Sequence, residues 1–331
     1  MPMAQSPNSR SVSRRSLLQF AGLAALAPGT TLAAGRRMPF RFGVSAASFG
    51  TNVEQAIQVA ARVGLPGLEP FRENVINYLD RPLELKKIFD AAGVTMITCS
   101  NGGPHFSNDL TDPAKVPQTV KDHVAFARDF ILPFGYCDHF KANPHGTING
   151  RPTDEQLKIA ADAMNEIGRQ TLEFGIKFSP HPHVGSLVET EHEVRTLLAL
   201  TDPRYVFLVT DTAHLTLGGM DPLQIIKEYW SRITEIHYKD TAANLRGNKT
   251  LAVPISGPQA GGHGWFRNLG GRDSGGVDFP AIQNFLLEKN YRGWVTLDLD
   301  ASMIEGKDME ETIRINIKYL VDVLGVDPKT V

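Results

Sequence analysis

The chain has 331 residues, a formal net charge of −2, 42 % hydrophobic and 21 % charged residues, ordinary values for a globular protein. The near-neutral balance gives no electrostatic drive toward phosphate backbones, so nucleic acid is not an expected partner. The two cysteines, Cys99 and Cys137, have no CxxC spacing, which excludes a cysteine zinc site.

Residues 1–35 read as an address. Ser13-Arg14-Arg15-Ser16-Leu17-Leu18 precedes an apolar run from Phe20 to Ala27, and small residues follow from Thr31 to Gly35. Basic start, apolar core and small-residue cleavage region are the parts of a signal peptide. The core is too short to span a bilayer. Paired arginines before Leu-Leu resemble a twin-arginine signal. The expectation is a periplasmic or secreted protein with no membrane segment in its mature form. Such substrates are exported folded, often with a cofactor loaded. A metal acquired in the cytoplasm escapes the copper and zinc that would otherwise win any nitrogen and oxygen site.

From residue 39 the chain repeats a short apolar run and then a segment with apolar spacing of three and four. The predicted strands are Phe40–Ala46, Gly67–Pro70, Val94–Ser100, Tyr136–Ala142, Ile176–His181, Tyr205–Thr210, Ile233–Lys239 and Trp294–Leu299. The predicted helices are Val53–Val63, Pro82–Ala92, Val116–Ile131, Asp154–Phe174, Glu189–Leu200, Pro222–Trp230, Phe279–Glu288 and Glu310–Leu324. Gly64, Gly93 and Gly175 stand where helix C-caps need them. Eight such units predict an α/β fold, a single-domain (β/α)8 TIM barrel over residues 39–331. A glycine-rich insertion, residues 242–277, separates strand 7 from its helix. Cys99 falls near the end of strand 3 and Cys137 near the start of strand 4, so no disulfide is expected.

A barrel places its chemistry at the C-terminal ends of its strands. Strands 5 to 8 end in His181-Pro182-His183, Asp211-Thr212-Ala213-His214, His237-Tyr238-Lys239-Asp240 and Asp298-Leu299-Asp300. One histidine or aspartate at a strand end is often a helix cap. Four consecutive strands agreeing points to a shared centre. Imidazole and carboxylate donors suit one divalent ion among Mn, Fe, Co and Zn. Asp211 and His237 are the foremost ligand candidates, joined by His181 and Asp298. His183, His214 and Lys239 are candidate acids and bases; His214, three residues beyond Asp211, faces either substrate or metal. Asp240 pairs with Lys239 or caps its loop. Glu69, Lys141 and His145 follow strands 2 and 4 and are candidate substrate contacts, with His105 after strand 3 as a further one. In the insertion, Trp265 offers a face for a sugar and Arg267 a cation for a polar group; a surface loop or subunit contact is the plain alternative. Gly261-Gly262 and Gly270-Gly271 lack the strand-to-helix context of a phosphate loop.

These residues resemble the sugar phosphate isomerase/epimerase superfamily, the xylose isomerase-like TIM barrels, and most closely its inosose dehydratase branch. The resemblance rests on Asp211-Thr212-Ala213-His214-Leu215, on Arg232 through Asp240, on His181-Pro182-His183 with Glu189-Thr190, and on Gly276-Val277-Asp278-Phe279-Pro280. It implies one divalent metal, manganese foremost with Mg, Co, Fe and Zn as alternatives, held by Glu, Asp, His and Glu from strands 5 to 8. By position these are His181, Asp211, His237 and Asp298, so two positions depart from the pattern. In ketose epimerases both glutamates also move protons, which makes a simple 3-epimerase less fitting; the resemblance implies proton removal beside a carbonyl, after which the enediolate either collapses to an isomer or epimer or expels a β-leaving group. The implied substrate is a small keto-sugar or keto-cyclitol, 3-keto-glycosides included, and a homo-oligomer is open. A non-catalytic sugar-binding or subunit protein is the alternative. A DNA-repair endonuclease of the same barrel class would need a basic groove, and the acidic balance argues against it.

Overall fold

The computed structural model describes residues 36–102, 108–148, 150–252, 265–305 and 307–327. Eight parallel strands line a cylinder: β1 (Arg41–Ser45), β2 (Gly67–Glu69), β3 (Thr95–Met96), β4 (His139–Ala142), β5 (Lys177–Pro180), β6 (Leu208–Asp211), β7 (Ile233–Tyr238) and β10 (Trp294–Leu297). β8 (Asp240–Thr241) and β9 (Phe266–Arg267) form a small antiparallel ladder beyond the end of β7. One sheet runs β3-β2-β1-β10-β7-β6 and a second pairs β4 with β5. A few backbone bonds close the two seams. Asn101 N donates to Lys141 O at 2.8 Å, and Phe207 N donates to Phe178 O at 2.9 Å. The predicted barrel is therefore present.

The helices are α1 (Val53–Val63), α2 (Pro82–Ala92), α3 (Val116–Phe126), α4 (Asp154–Leu172), α5 (Glu191–Leu200), α6 (Thr212–Leu217), α7 (Pro222–Glu228), α8 (Phe279–Glu288) and α9 (Met309–Asp322). Local chemistry explains their ends. Asn52 caps α1 by accepting from Gln55 N, and Thr153 with Gln156 makes a reciprocal capping box at α4. Gly64 and Gly93 take the left-handed conformation after α1 and α2.

Several predicted boundaries move, strand 4 among them, which starts at His139 instead of Tyr136. The sixth strand starts at Leu208 instead of Tyr205, because the Tyr205 and Val206 amides close a turn on Asp202 O. Strand 3 is a two-residue ladder followed by isolated bridges from Ser100 to Phe71 and Lys141. α3 passes into a π turn over Ala127–Ile131. α7 stops at Glu228, before a 3₁₀ turn at Trp230–Arg232. The short α6 was not predicted; it starts directly from Asp211.

Gly43 and Gly67 leave the low end of the barrel open to the Ile97 side chain, and Gly67 also makes room for the Trp294 ring. Phe126, Phe130, Phe140 and Phe178 fill the space between strands and helices, with the Phe140 and Phe178 rings 5.1 Å apart. Cys99 and Cys137 are buried free thiols. Among the described residues no helix is long and apolar enough to cross a membrane. The signal-like segment 1–35 lies outside the described residues, as do His105 and the stretch 253–264 with Gly261-Gly262.

Candidate active site

The handover from β6 to α6 fixes the first ligand candidate. Asp211 ends the strand and caps the helix: its Oδ1 accepts from Ala213 N at 2.8 Å and His214 N at 2.9 Å. Its Oδ2 is buried and has no hydrogen-bond partner. The helix cap therefore aims a spare oxygen across the barrel mouth. Burial raises the Asp211 pKa, against the opposing pull of His237 and Lys239.

His237 presents itself to that oxygen. Its Nε2 lies 2.7 Å from Glu69 Oε2, and Glu69 in turn takes Lys141 Nζ at 2.8 Å. The carboxylate fixes the ring so that Nδ1 faces Asp211 Oδ2 at 3.7 Å and Asp298 Oδ2 at 3.8 Å, both beyond a good hydrogen bond. His181 is oriented the same way. Its Nδ1 lies 2.9 Å from Asn143 Oδ1 and therefore carries the proton, which leaves Nε2 as a buried lone pair without a partner. Ligand atoms of His181, Asp211 and His237 all lie within 4.8 Å of one another.

This donor set fits a divalent metal. Three buried polar atoms without partners converge, and a carboxylate or amide behind each imidazole sets its tautomer, the usual support of metal-bound histidine. Asp211, His214 and Asp298 form a second group within 4.8 Å, sharing Asp211 with the first.

Two imidazoles flank the cluster. His183 Nδ1 lies 2.7 Å from the Val184 carbonyl, while Val184 N donates to His214 Nδ1 at 3.3 Å. One residue's peptide groups thus set opposite tautomers: Nε2 of His183 is a lone pair and Nε2 of His214 carries a hydrogen. Their ring centres are 3.6 Å apart. Burial lowers both pKa values, that of His183 to about 3, so both rings are neutral at pH 7. Lys239 is different. Its Nζ sits 3.0 Å from Asp298 and 2.8 Å from Asp300, and 4.1 Å from the centre of the Phe266 ring. Burial works against the ammonium, but Asp298 and Asp300 outweigh it and raise its pKa.

A model of the xylose isomerase-like TIM barrel family matches residues 57–322. The chain belongs to that family. It is 32 % identical over 287 residues to an inosose dehydratase of Bacillus cereus, covering 82 % of this chain and 90 % of that protein. An inosose dehydratase of Clostridium beijerinckii is 27 % identical over 285 residues, with 82 % and 90 % covered. Among solved structures, a sugar phosphate isomerase/epimerase of Parabacteroides distasonis superposes with a TM-score of 0.63 at 19 % identity, covering 93 % of this chain and 100 % of that one. A 3-keto-D-glucoside 4-epimerase of E. coli gives 0.62 at 16 % identity, covering 85 % and 98 %. At those identities the structures share the fold.

Within this family barrel the sequence candidates separate. His181, Asp211, His237, His183, His214, Lys239 and Asp298 meet at one end. Glu69 and Lys141, expected as substrate contacts, are buried and paired with each other, and Glu69 also orients His237. Lys239, expected as an acid or base, is a fixed ammonium. His145 is exposed, and its carbonyl accepts from Leu110 N. Trp265 is half-buried at the edge of the insertion, and Arg267 pairs in register with Asp240. Asp240 caps its loop, accepting from Thr241, Gly275 and Val277 amides. Sequence reasoning missed Asn143 and Phe266. Asn143 sits beside the named Lys141 and His145. Phe266, next to Trp265, packs its ring 5.0 Å from His214.

Proposed function

We propose that this chain is a divalent-metal-dependent enzyme, manganese foremost, that removes the proton beside the carbonyl of a keto-sugar or keto-cyclitol and expels a β-leaving group. The observation that carries the reading is the convergence of His181 Nε2, Asp211 Oδ2 and His237 Nδ1, buried and unpartnered, beside two imidazoles of opposite tautomer. A divalent ion bound there supplies Lewis acidity to the substrate carbonyl oxygen, where negative charge develops. His183 Nε2 accepts the α-proton. His214 Nε2–H donates a proton to the departing oxygen, so water or an alcohol leaves and a conjugated enone remains. Phe266 walls the pocket on the side of His214 and Lys239.

Elimination is favoured over epimerisation by the same pair. An epimerase needs acid and base on opposite faces of the substrate, whereas these rings stack 3.6 Å apart on one side. The inosose dehydratases among the relatives are named for loss of water. We further propose that residues 1–35 export the folded enzyme by the twin-arginine route. Replacing Arg14 and Arg15 by lysine should then leave the precursor in the cytoplasm, read by fractionation and blotting.

The test of the chemistry is purified protein with added Mn²⁺, offered inosose or a 3-keto-glucoside in deuterated water and followed by NMR. Appearance of an enone supports the proposal. A deuterated epimer without loss of water assigns epimerisation instead. No turnover, no exchange and no bound metal would overturn the enzymatic reading.

A further inference from the structure

We propose that the opposite end of the barrel carries a second site, one that binds a phosphate-bearing anion. A cavity of about 800 Å³ lies there, lined by Arg36, Arg37, Arg41 and Arg292 together with Asn290 and Pro66. Arg41 opens β1, Pro66 precedes β2 and Arg292 precedes β10, so the cavity sits at the N-terminal ends of strands whose other ends carry the catalytic cluster. The two sites do not share a residue.

The charge at this end is unbalanced. No aspartate or glutamate lines the cavity, and among the described residues none forms an ion pair with these four arginines. The carboxylate that Arg41 feels, Asp138, is already engaged by Lys177 at 2.8 Å and His139 at 2.9 Å. Helices α1 and α8 end beside the cavity, at Gly64 and just before Asn290. Each helix C-terminus offers about half a negative charge, so two offset roughly one of the four positive charges and about three remain. Four like charges around one space repel each other, and an anion with two or more charges relieves that.

The site is also held in shape. The Arg41 guanidinium lies over the Trp294 ring, 3.9 Å from its centre, a cation–π contact that holds it at the cavity rim. The Arg36 backbone is tied at both groups: N donates to Gly325 O at 2.7 Å, and Asp327 N donates to its O at 3.0 Å. Asn290 holds a φ of 51°, the left-handed turn that brings the chain from α8 back to β10 along the cavity rim. Guanidinium forks match phosphate oxygens in pairs, which singles out a phosphoryl group over a simple halide.

The ligand is either a soluble phosphate compound or the headgroup of an anionic lipid; both present the same oxygens. The experiment uses the full chain, treated with chelator, in low salt. Calorimetric titration with inorganic phosphate forms one arm. Sedimentation with phosphatidylglycerol vesicles against phosphatidylcholine vesicles forms the other. The expected result is saturable phosphate binding that weakens at least tenfold in Arg41→Gln/Arg292→Gln, persists in Asp211→Asn, and is unchanged in Arg272→Gln, an exposed arginine elsewhere. Arg37→Gln/Arg292→Gln repeats the test with the Arg41–Trp294 contact intact. Vesicle binding lost with the same substitutions assigns the lipid headgroup; phosphate binding without vesicle binding assigns a soluble ligand. Absence of both, or binding that neither double variant weakens, overturns the proposal.

Discussion

Beneath His237 the barrel interior holds a charged pair whose contribution to stability depends on pH. His139 Nε2 lies 3.3 Å from Glu235 Oε2, and its Nδ1 lies 2.9 Å from Asp138 Oδ1. Thr296 Oγ1 donates to the other Glu235 oxygen. Burial works against a charged imidazole, but Asp138 and Glu235 outweigh it and push His139 up to about 9 from an ordinary 6.5. A rise of about 2.5 units corresponds to roughly 3 kcal/mol favouring the folded state. The sign follows from where the proton sits. Below pH 6.5 the imidazole is protonated in both states and the full stabilisation is present. Between 6.5 and 9 the unfolded chain binds fewer protons, so stability falls, and above 9 the contribution is gone. Changing His139 to Gln removes the cation and leaves Glu235 buried without its partner, a loss of about 3–5 kcal/mol near pH 6.5. Urea denaturation of chelated wild type and His139→Gln at pH 6.5, 8 and 9.5 measures this directly. The difference between the two proteins should narrow by roughly 3 kcal/mol across that range. A difference that stays constant from pH 6.5 to 9.5 would show that His139 is neutral in the folded protein and refute the charged pair.

Three further outcomes follow from the site and the barrel floor. If the proposed metal centre forms, Asp211→Asn should abolish bound metal, read by elemental mass spectrometry. It should also remove the stabilisation that added Mn²⁺ gives the wild type, about 2.7 kcal/mol at a hundredfold excess over Kd. Glu69→Gln should weaken metal affinity about 10- to 100-fold, because His237 loses the carboxylate that orients it; unchanged affinity in a competitive chelator titration would contradict that role. Gly67→Ala should cost about 1–3 kcal/mol by urea denaturation, since its methyl would lie 2.5 Å from the Trp294 ring and 2.8 Å from Ile97 Cδ1.

The fold was readable because each barrel unit repeats the same two signals. Apolar runs between glycine and proline breaks marked the strands, and spacing of three and four marked the helices. Where the signal failed, a local competitor explains it. Tyr205 and Val206 have strand-forming side chains, yet their amides are taken by Asp202 O, so the ladder starts later. α6 was hidden because Asp211-Thr212-Ala213-His214 reads as a functional motif, while its aspartate is at the same time a helix cap. The site was readable at its strand ends and not behind them. Nothing in the local pattern tells that Glu69, 168 positions from His237, supports that ring from three strands away around the sheet. Nor does spacing reveal that the Val184 peptide divides His183 and His214 into acceptor and donor. Those roles depend on register between strands, which becomes fixed only when the cylinder closes.

The distribution of charge gives the departures from the family pattern a chemical consequence under the proposed function. Glu69 is matched by Lys141, and Asp298 with Asp300 shares Lys239, whereas among the described residues Asp211 makes no ion pair with a lysine or arginine and feels Lys239 only at longer range. With Asp211, Asp298, Asp300 and Lys239 counted beside two neutral imidazoles, a dication held there keeps a net charge of about 0. The pattern with three carboxylates and one histidine leaves about −1 around the same ion. Histidine at 181 and the Lys239 clamp on Asp298 therefore make this centre more electron-withdrawing toward a substrate oxygen. They also remove both carboxylates that would otherwise exchange protons with the two faces of the sugar. What remains to move protons is His183 and His214, stacked on one side. Under the proposed function, a centre that pulls harder on the carbonyl while offering acid and base from a single face suits expelling a group better than inverting a carbon.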